Sequence, residues 1–223
     1  MILGFSGFGA GLVLVPLLSL IYSPRDAVAI LMLVGLLGSS LLIPNAARHT
    51  VWRESFPVTL AALAAIPLGS YTLLTLDPEA MQRVIGILVL GLSLPLFRGV
   101  RYSGARGIAI SAAAGIFSGV VAGATGLGRL IVAIYFLSSH DAAMAQRANI
   151  IIVGTFMAVL NVIILTYTGV ITLELAVRAT LLFLPFSATI WLGTRFFKST
   201  PGPLFRRIVL SLVMMIALIT VFA

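Results

Sequence analysis

The chain has 223 residues, 61% of them hydrophobic and 9% charged, with mean hydropathy +1.19. A soluble domain carries about 25% charged residues, so this composition excludes a soluble globular protein and describes an integral membrane one. The net charge of +8 lies in short loops beside apolar runs, where it reads as a topology signal rather than a nucleic-acid footprint. The absence of cysteine excludes disulfides and thiolate chemistry.

Eight apolar segments follow one another at about 1–22, 27–44, 55–76, 80–97, 107–138, 142–167, 171–194 and 204–223. Most reach the 17 to 25 residues, roughly, that a helix needs to cross a bilayer. The first segment opens on Gly4-Phe-Ser-Gly-Phe-Gly9 and the fifth carries Gly123-Ala-Thr-Gly-Leu-Gly-Arg129. Each glycine costs a helix interior about 1 kcal/mol relative to alanine, so both clusters are predicted helix breaks. Broken helix at membrane depth is tolerated only where protein or a water-filled cavity satisfies the freed backbone groups. No basic n-region precedes the first run, so no cleavable signal peptide is expected. Pro16, Pro44, Pro67 and Pro185 are expected to kink or end helices.

The chain also matches itself. An offset of 119 places Gly4, Gly7 and Gly9 on Gly123, Gly126 and Gly128, Ser6 on Thr125, and Val51 on Val170. Further along the best offset is 124, which sets Leu68-Gly69 on Leu192-Gly193 and Arg83 on Arg207. The predicted organisation is a first transmembrane repeat at 1–98, a cytoplasmic linker at 99–106 and a second repeat at 107–223. The first copy lacks a counterpart of 107–122, so it is expected to be incomplete at its N-terminus.

Loop charges choose between two all-α architectures. If all eight segments simply cross, seven basic loop residues face one side and six the other. If the glycine-broken first and fifth segments are re-entrant, Arg48, Arg53, Arg98, Arg101, Arg106, Arg147, Arg195, Lys198, Arg206 and Arg207 share one side. Only Arg25, Arg83 and Arg178 remain opposite. Ten against three is the asymmetry that the positive-inside rule expects. The expectation is therefore two inverted repeats, each a re-entrant segment plus three transmembrane helices, with the basic loops cytoplasmic; eight simple spans are the alternative.

Consecutive backbone N–H groups in a glycine turn, with the helix N-terminus that follows, make an anion site. Two such breaks in matching places of two halves point to a transporter's substrate site. The candidate substrate-binding residues are Ser6, Gly7, Gly9, Thr125, Gly126, Gly128, Arg129 and Asn149. The competing role for the glycines is tight helix packing, and the two are compatible. Arg129 is the only basic residue inside an apolar segment rather than in a loop. A charge there costs about 2.5–3.5 kcal/mol even on the lenient scale. Either an anion meets its planar fork, or it snorkels to an interface or caps the turn's carbonyls. Ser39, Ser40, Asn45, Thr155 and Asn161 are weaker polar candidates. His49 and His140, both expected in loops, are not spaced as metal ligands.

The pattern Gly119-Val-Val-Ala-Gly-Ala-Thr-Gly-Leu-Gly128 resembles the glycine motif of the TauE/SafE sulfite exporter family, as does Gly4-Phe-Ser-Gly-Phe-Gly-Ala-Gly11 followed by Pro16. Arg48-His-Thr-Val-Trp-Arg53 and Thr168-Gly-Val-Ile-Thr172 are similar to that family's matching loops. The resemblance implies a bacterial inner-membrane protein exporting a small sulfur-containing anion such as sulfite, sulfoacetate or a related sulfonate. Family members commonly carry a further glycine or Gly-Pro where this chain has Arg129-Leu130. No carboxylate lies within a span, so no intramembrane proton relay is expected. Export of an anion gains about 2.3 kcal/mol per charge per 100 mV of inside-negative potential.

The rival classes are a transporter of another small organic anion, a non-transporting membrane scaffold, and an intramembrane enzyme. The last lacks a positioned nucleophile with a base, or paired metal ligands. Neither cofactor nor metal is expected. The expected partners are the small anion and the lipid bilayer, not nucleic acid, and a homodimer is compatible with this reading.

Overall fold

The computed structural model describes residues 10–40, 42–98, 107–137 and 141–183. Among them every regular element is helical. In chain order these are α1 (Ala10–Ile21), α2 (Pro24–Ser40), α3 (Ile43–His49), α4 (Trp52–Thr75), α5 (Pro78–Arg98), α6 (Ile108–Thr125), α7 (Gly128–Leu137) and α8 (Ala143–Tyr167). A further helix, α9, is described over 173–183. Among the described residues three helices, α4, α6 and α8, are long and apolar enough to cross a membrane, and α2 with α3 makes a fourth if the bent pair counts as one span.

Glycine governs the tightest contact. Gly115, Gly119 and Gly123 recur every four residues along one face of α6, and a Cβ on them would come within 2.5 Å of Val58 O, 2.2 Å of Ala62 O and 2.2 Å of Ile66 O. In return, a Cβ on Gly69 would lie 2.0 Å from Val120 O. The partners rise together in number, so α4 and α6 run parallel with their backbones in direct apposition. Lipid tails are as apolar as any side chain, and helix association in a bilayer therefore rests on close packing of this kind rather than on hydrophobic burial.

Polar contacts set the remaining directions. The Val51 N–H, at the start of α4, donates to Asn149 Oδ1 near the start of α8 at 2.9 Å. Towards the other ends Ser70 Oγ donates to Asn161 Oδ1 at 3.4 Å. Thus α8 also runs parallel to α4. Opposite in sense is α2: Arg25, in its first turn, donates to the Leu73 and Leu74 carbonyls in the last turn of α4, where cationic donors suit the helix dipole. Around this frame α1, α2 and α5 share an apolar core with Leu127, Leu130 and the end of α8. A second core joins α4, α6, α7 and α8.

Several expectations shift. The predicted segment 27–44 is two helices meeting at a 70° bend. Pro44 lies at the start of α3 instead of ending a helix, a position where its missing N–H is not needed. The helix α4 runs through Pro67, and through Pro57, without ending, as neighbouring groups in a membrane bundle allow. Likewise α1 continues across Pro16. His49 is the last residue of α3, its Nδ1 2.9 Å from Asn45 O. His140 and Pro185 lie outside the described residues.

Candidate functional site

The break between α6 and α7 is built by its own residues. Gly126 adopts the left-handed conformation at φ 75° and its N–H closes on Ala122 O, which ends α6. A Cβ there would lie 2.8 Å from Met32 Cε and 2.9 Å from Leu31 Cδ2, side-chain tips that can yield, so it is the left-handed conformation that requires glycine. Thr125 Oγ1 donates to Val121 O at 2.9 Å and accepts from the Leu127 N–H at 3.3 Å. Its hydroxyl therefore fastens the turn and is fully buried.

Gly128 then starts a helix that doubles back. A Cβ on it would come within 2.1 Å of Ser118 O and 2.6 Å of Ala122 Cβ. Farther along, Ser111 Oγ and Tyr135 Oη are 2.8 Å apart. The start of α6 and the end of α7 thus lie together, and the two helices form an antiparallel hairpin whose tip is Gly126-Leu127.

Arg129 follows directly. Its guanidinium group lies across Gly154, where an added Cβ would be 2.2 Å from Nε and 2.9 Å from Cζ. Gly154 is near the midpoint of the 25-residue α8, which places this cation at mid-depth of the longest apolar helix. Its Nη2 donates to Ser39 Oγ at 3.2 Å, and Ser39 Oγ in turn donates to Gly35 O at 2.7 Å. Ser39 stands in the last turn of α2, whose carbonyl end carries partial negative charge. Among the described residues no carboxylate pairs with Arg129 and Ser39 is its single hydrogen-bond partner. A guanidinium has five N–H donors, so most of its hydrogen-bonding capacity is open.

The expected residues divide accordingly. Thr125, Gly126, Gly128 and Arg129 come together at the hairpin tip. Ser6, Gly7 and Gly9 lie outside the described residues, but Gly11, just beyond them, is at the tip: a Cβ on it would lie 2.9 Å from Leu127 Cδ2. Asn149 is fully buried and faces α4 through its bond to Val51. Five residues separate it from Gly154, about 140° around the helix, so it stands apart from the guanidinium. Gly154 itself went unremarked in the sequence; a lone glycine after Ile150-Ile-Ile-Val153 was the available signal. Among the described residues no cluster of His, Cys, Asp or Glu holds metal-ligand geometry.

Comparison with known families gives one result that spans the chain. The family model described as Sulfite exporter TauE/SafE matches residues 1–220. Among curated proteins and solved structures none matches.

Proposed function

The chain belongs to the sulfite exporter TauE/SafE family, and on that footing we propose that it is a membrane transporter exporting a small sulfur oxyanion, sulfite or a sulfonate, with Arg129 as the central anion contact. The observation that carries this is a guanidinium at mid-depth, bonded to one serine hydroxyl and facing no carboxylate among the described residues. A planar fork with open donors suits a sulfite or sulfonate group bidentately. The N-terminus of α7, which begins at Gly128, adds the positive end of a helix dipole. Gly11 against Leu127 brings the start of α1 to this tip, and the 119-residue match of Ser6, Gly7 and Gly9 to Thr125, Gly126 and Gly128 keeps those three in the proposal.

Inverted repeats are part of the proposal. Eight simple spans would set Arg53 and Arg147 on opposite faces. The Asn149–Val51 bond and the packing of Ala46 on Ala148, Ile151 and Ile152 favour one shared face. The α6–α7 hairpin favours a re-entrant fifth segment for the same reason. The helices α2 and α8 start at Pro24 and Ala143, the 119-residue offset of the repeat. With the basic loops inside, the protein is a multi-pass protein of the bacterial inner membrane. Outward movement of the anion then follows the membrane potential.

Thermal unfolding of purified protein tests the site, because a ligand that binds only the folded state raises apparent stability. Sulfite or sulfoacetate is expected to raise the melting temperature, sulfate and small carboxylates to do so less, and Arg129→Ala to remove the effect. A shift by sulfite that survives Arg129→Ala makes the arginine structural.

A further inference from the structure

A second polar layer lies nearer the face on which α4, α6 and α8 begin. Asn149 Nδ2 and Ser55 Oγ are both buried and have no hydrogen-bond partner, and their residues are 0% and 1% exposed. They belong to one place: Asn149 Oδ1 holds the Val51 N–H, and the Ser55 N–H bonds to Val51 O one turn along α4. The same level carries Ser111, one turn before the Gly115–Val58 contact, and Tyr135, which is hydrogen-bonded to Ser111 and shares a core with Val58 and Ile150. A serine inside a helix ordinarily bonds back to the carbonyl four residues earlier, as Thr59 does to Ser55 O. Ser55 does not. Leaving a buried donor unmade is costly, and here two such donors stand on facing helices.

Resting on the transport reading, we propose that Ser55 and Asn149 form an inner station that receives the oxyanion before it reaches Arg129. Asn149 contributes amide N–H donors and Ser55 an O–H donor, both suited to an anion's oxygens. The N-terminus of α4 stands beside them with its positive dipole end. Exposed Arg48 and Arg53 flank the approach, while Glu54 is half-buried and has a partner of its own. Asn149 and Gly154 are five residues apart on α8, so the two stations are separated by about 7.5 Å along the axis of that helix. An anion crosses that interval without full rehydration.

The test is sulfite flux in proteoliposomes of known orientation, loaded in turn from each face. Ser55→Ala removes one donor and no structural bond. Asn149→Asp keeps the acceptor for Val51 and replaces the amide donors by a like charge. Each is expected to raise KM at least about tenfold, the effect of a lost hydrogen bond to a charged ligand, from the face bearing Arg48 and Arg53 only. Arg129→Ala is expected to lower flux from both faces. Flux by the parent with KM unchanged in both inner variants, or raised equally from both faces, overturns the inner station while leaving the exporter reading intact. No sulfite flux by the parent overturns both.

Discussion

At the scale of single residues, Arg129 is held by what its neighbours lack. Gly154 gives it room: a side chain there would overlap the guanidinium, the flexible end of an arginine, and not the backbone. Gly154→Ala is therefore expected to leave α8 folded, displace the guanidinium and weaken sulfite binding while every charge is retained. Isothermal titration on the variant, beside Arg129→Ala and Arg129→Lys, reads this; unchanged affinity in Gly154→Ala would separate the site from the guanidinium position. Arg129→Lys keeps the charge but loses the fork, and is expected to bind sulfite more weakly than the parent. Ser39, by contrast, is engaged twice, by Arg129 and by Gly35 O, so Ser39→Ala is expected to loosen the arginine without removing the proposed anion contact.

Between elements the decisive contact is α4 against α6. On Gly119 or Gly123 a methyl group would meet carbonyl oxygens at 2.2 Å, and backbone cannot yield as a side chain tip can. Gly119→Ala is expected to cost about 1–3 kcal/mol and to lower the melting temperature. Gly35→Ala, in a helix with nothing within 4 Å of the new group, is expected to stabilise by about 0.5–1 kcal/mol. Thermal unfolding of the pair checks both signs. The same glycines show why sequence reached only part of the site. Spacing identified them but could not separate packing from ligand contact, since both need an absent side chain. The structure seats Gly115, Gly119 and Gly123 on α4, and Gly126 in a turn. The break between α2 and α3 carried no glycine cluster of the kind seen at 123–128, so the run 27–44 read as one span. Arg129 was legible because a charge in apolar sequence demands a reason; its partner Ser39, 90 residues away, was not, because nothing local encodes a long-range contact.

For the whole molecule, the relative directions of α2, α4, α6, α7 and α8 follow from few contacts, and topology is open to direct measurement. The chain has no cysteine, so single cysteines report cleanly. Arg53→Cys and Arg147→Cys are expected to label from the same face in intact cells and Glu174→Cys from the other; labelling of residues 53 and 147 from opposite faces would restore eight simple spans. The helical class and the approximate limits of α4, α5 and α8 were legible from hydropathy alone, since length and apolarity suffice for them. Hydropathy is blind to whether a chain crosses or returns, so the expected return of the fifth segment rested on the loop charges and the glycine cluster instead. One consequence concerns mechanics. With carbonyl oxygens of α4 seated directly in the glycine face of α6, no layer of side chains lies between the two helices at those positions to act as a bearing, and sliding or rolling there is expected to be hindered. They form a stator. Compliance for any opening is expected instead where α2 bends into α3 and where α7 sets Arg129 on Ser39 of α2. A disulfide tying α4 to α6 should accordingly leave flux intact, whereas one tying α2 to α7 should stall it.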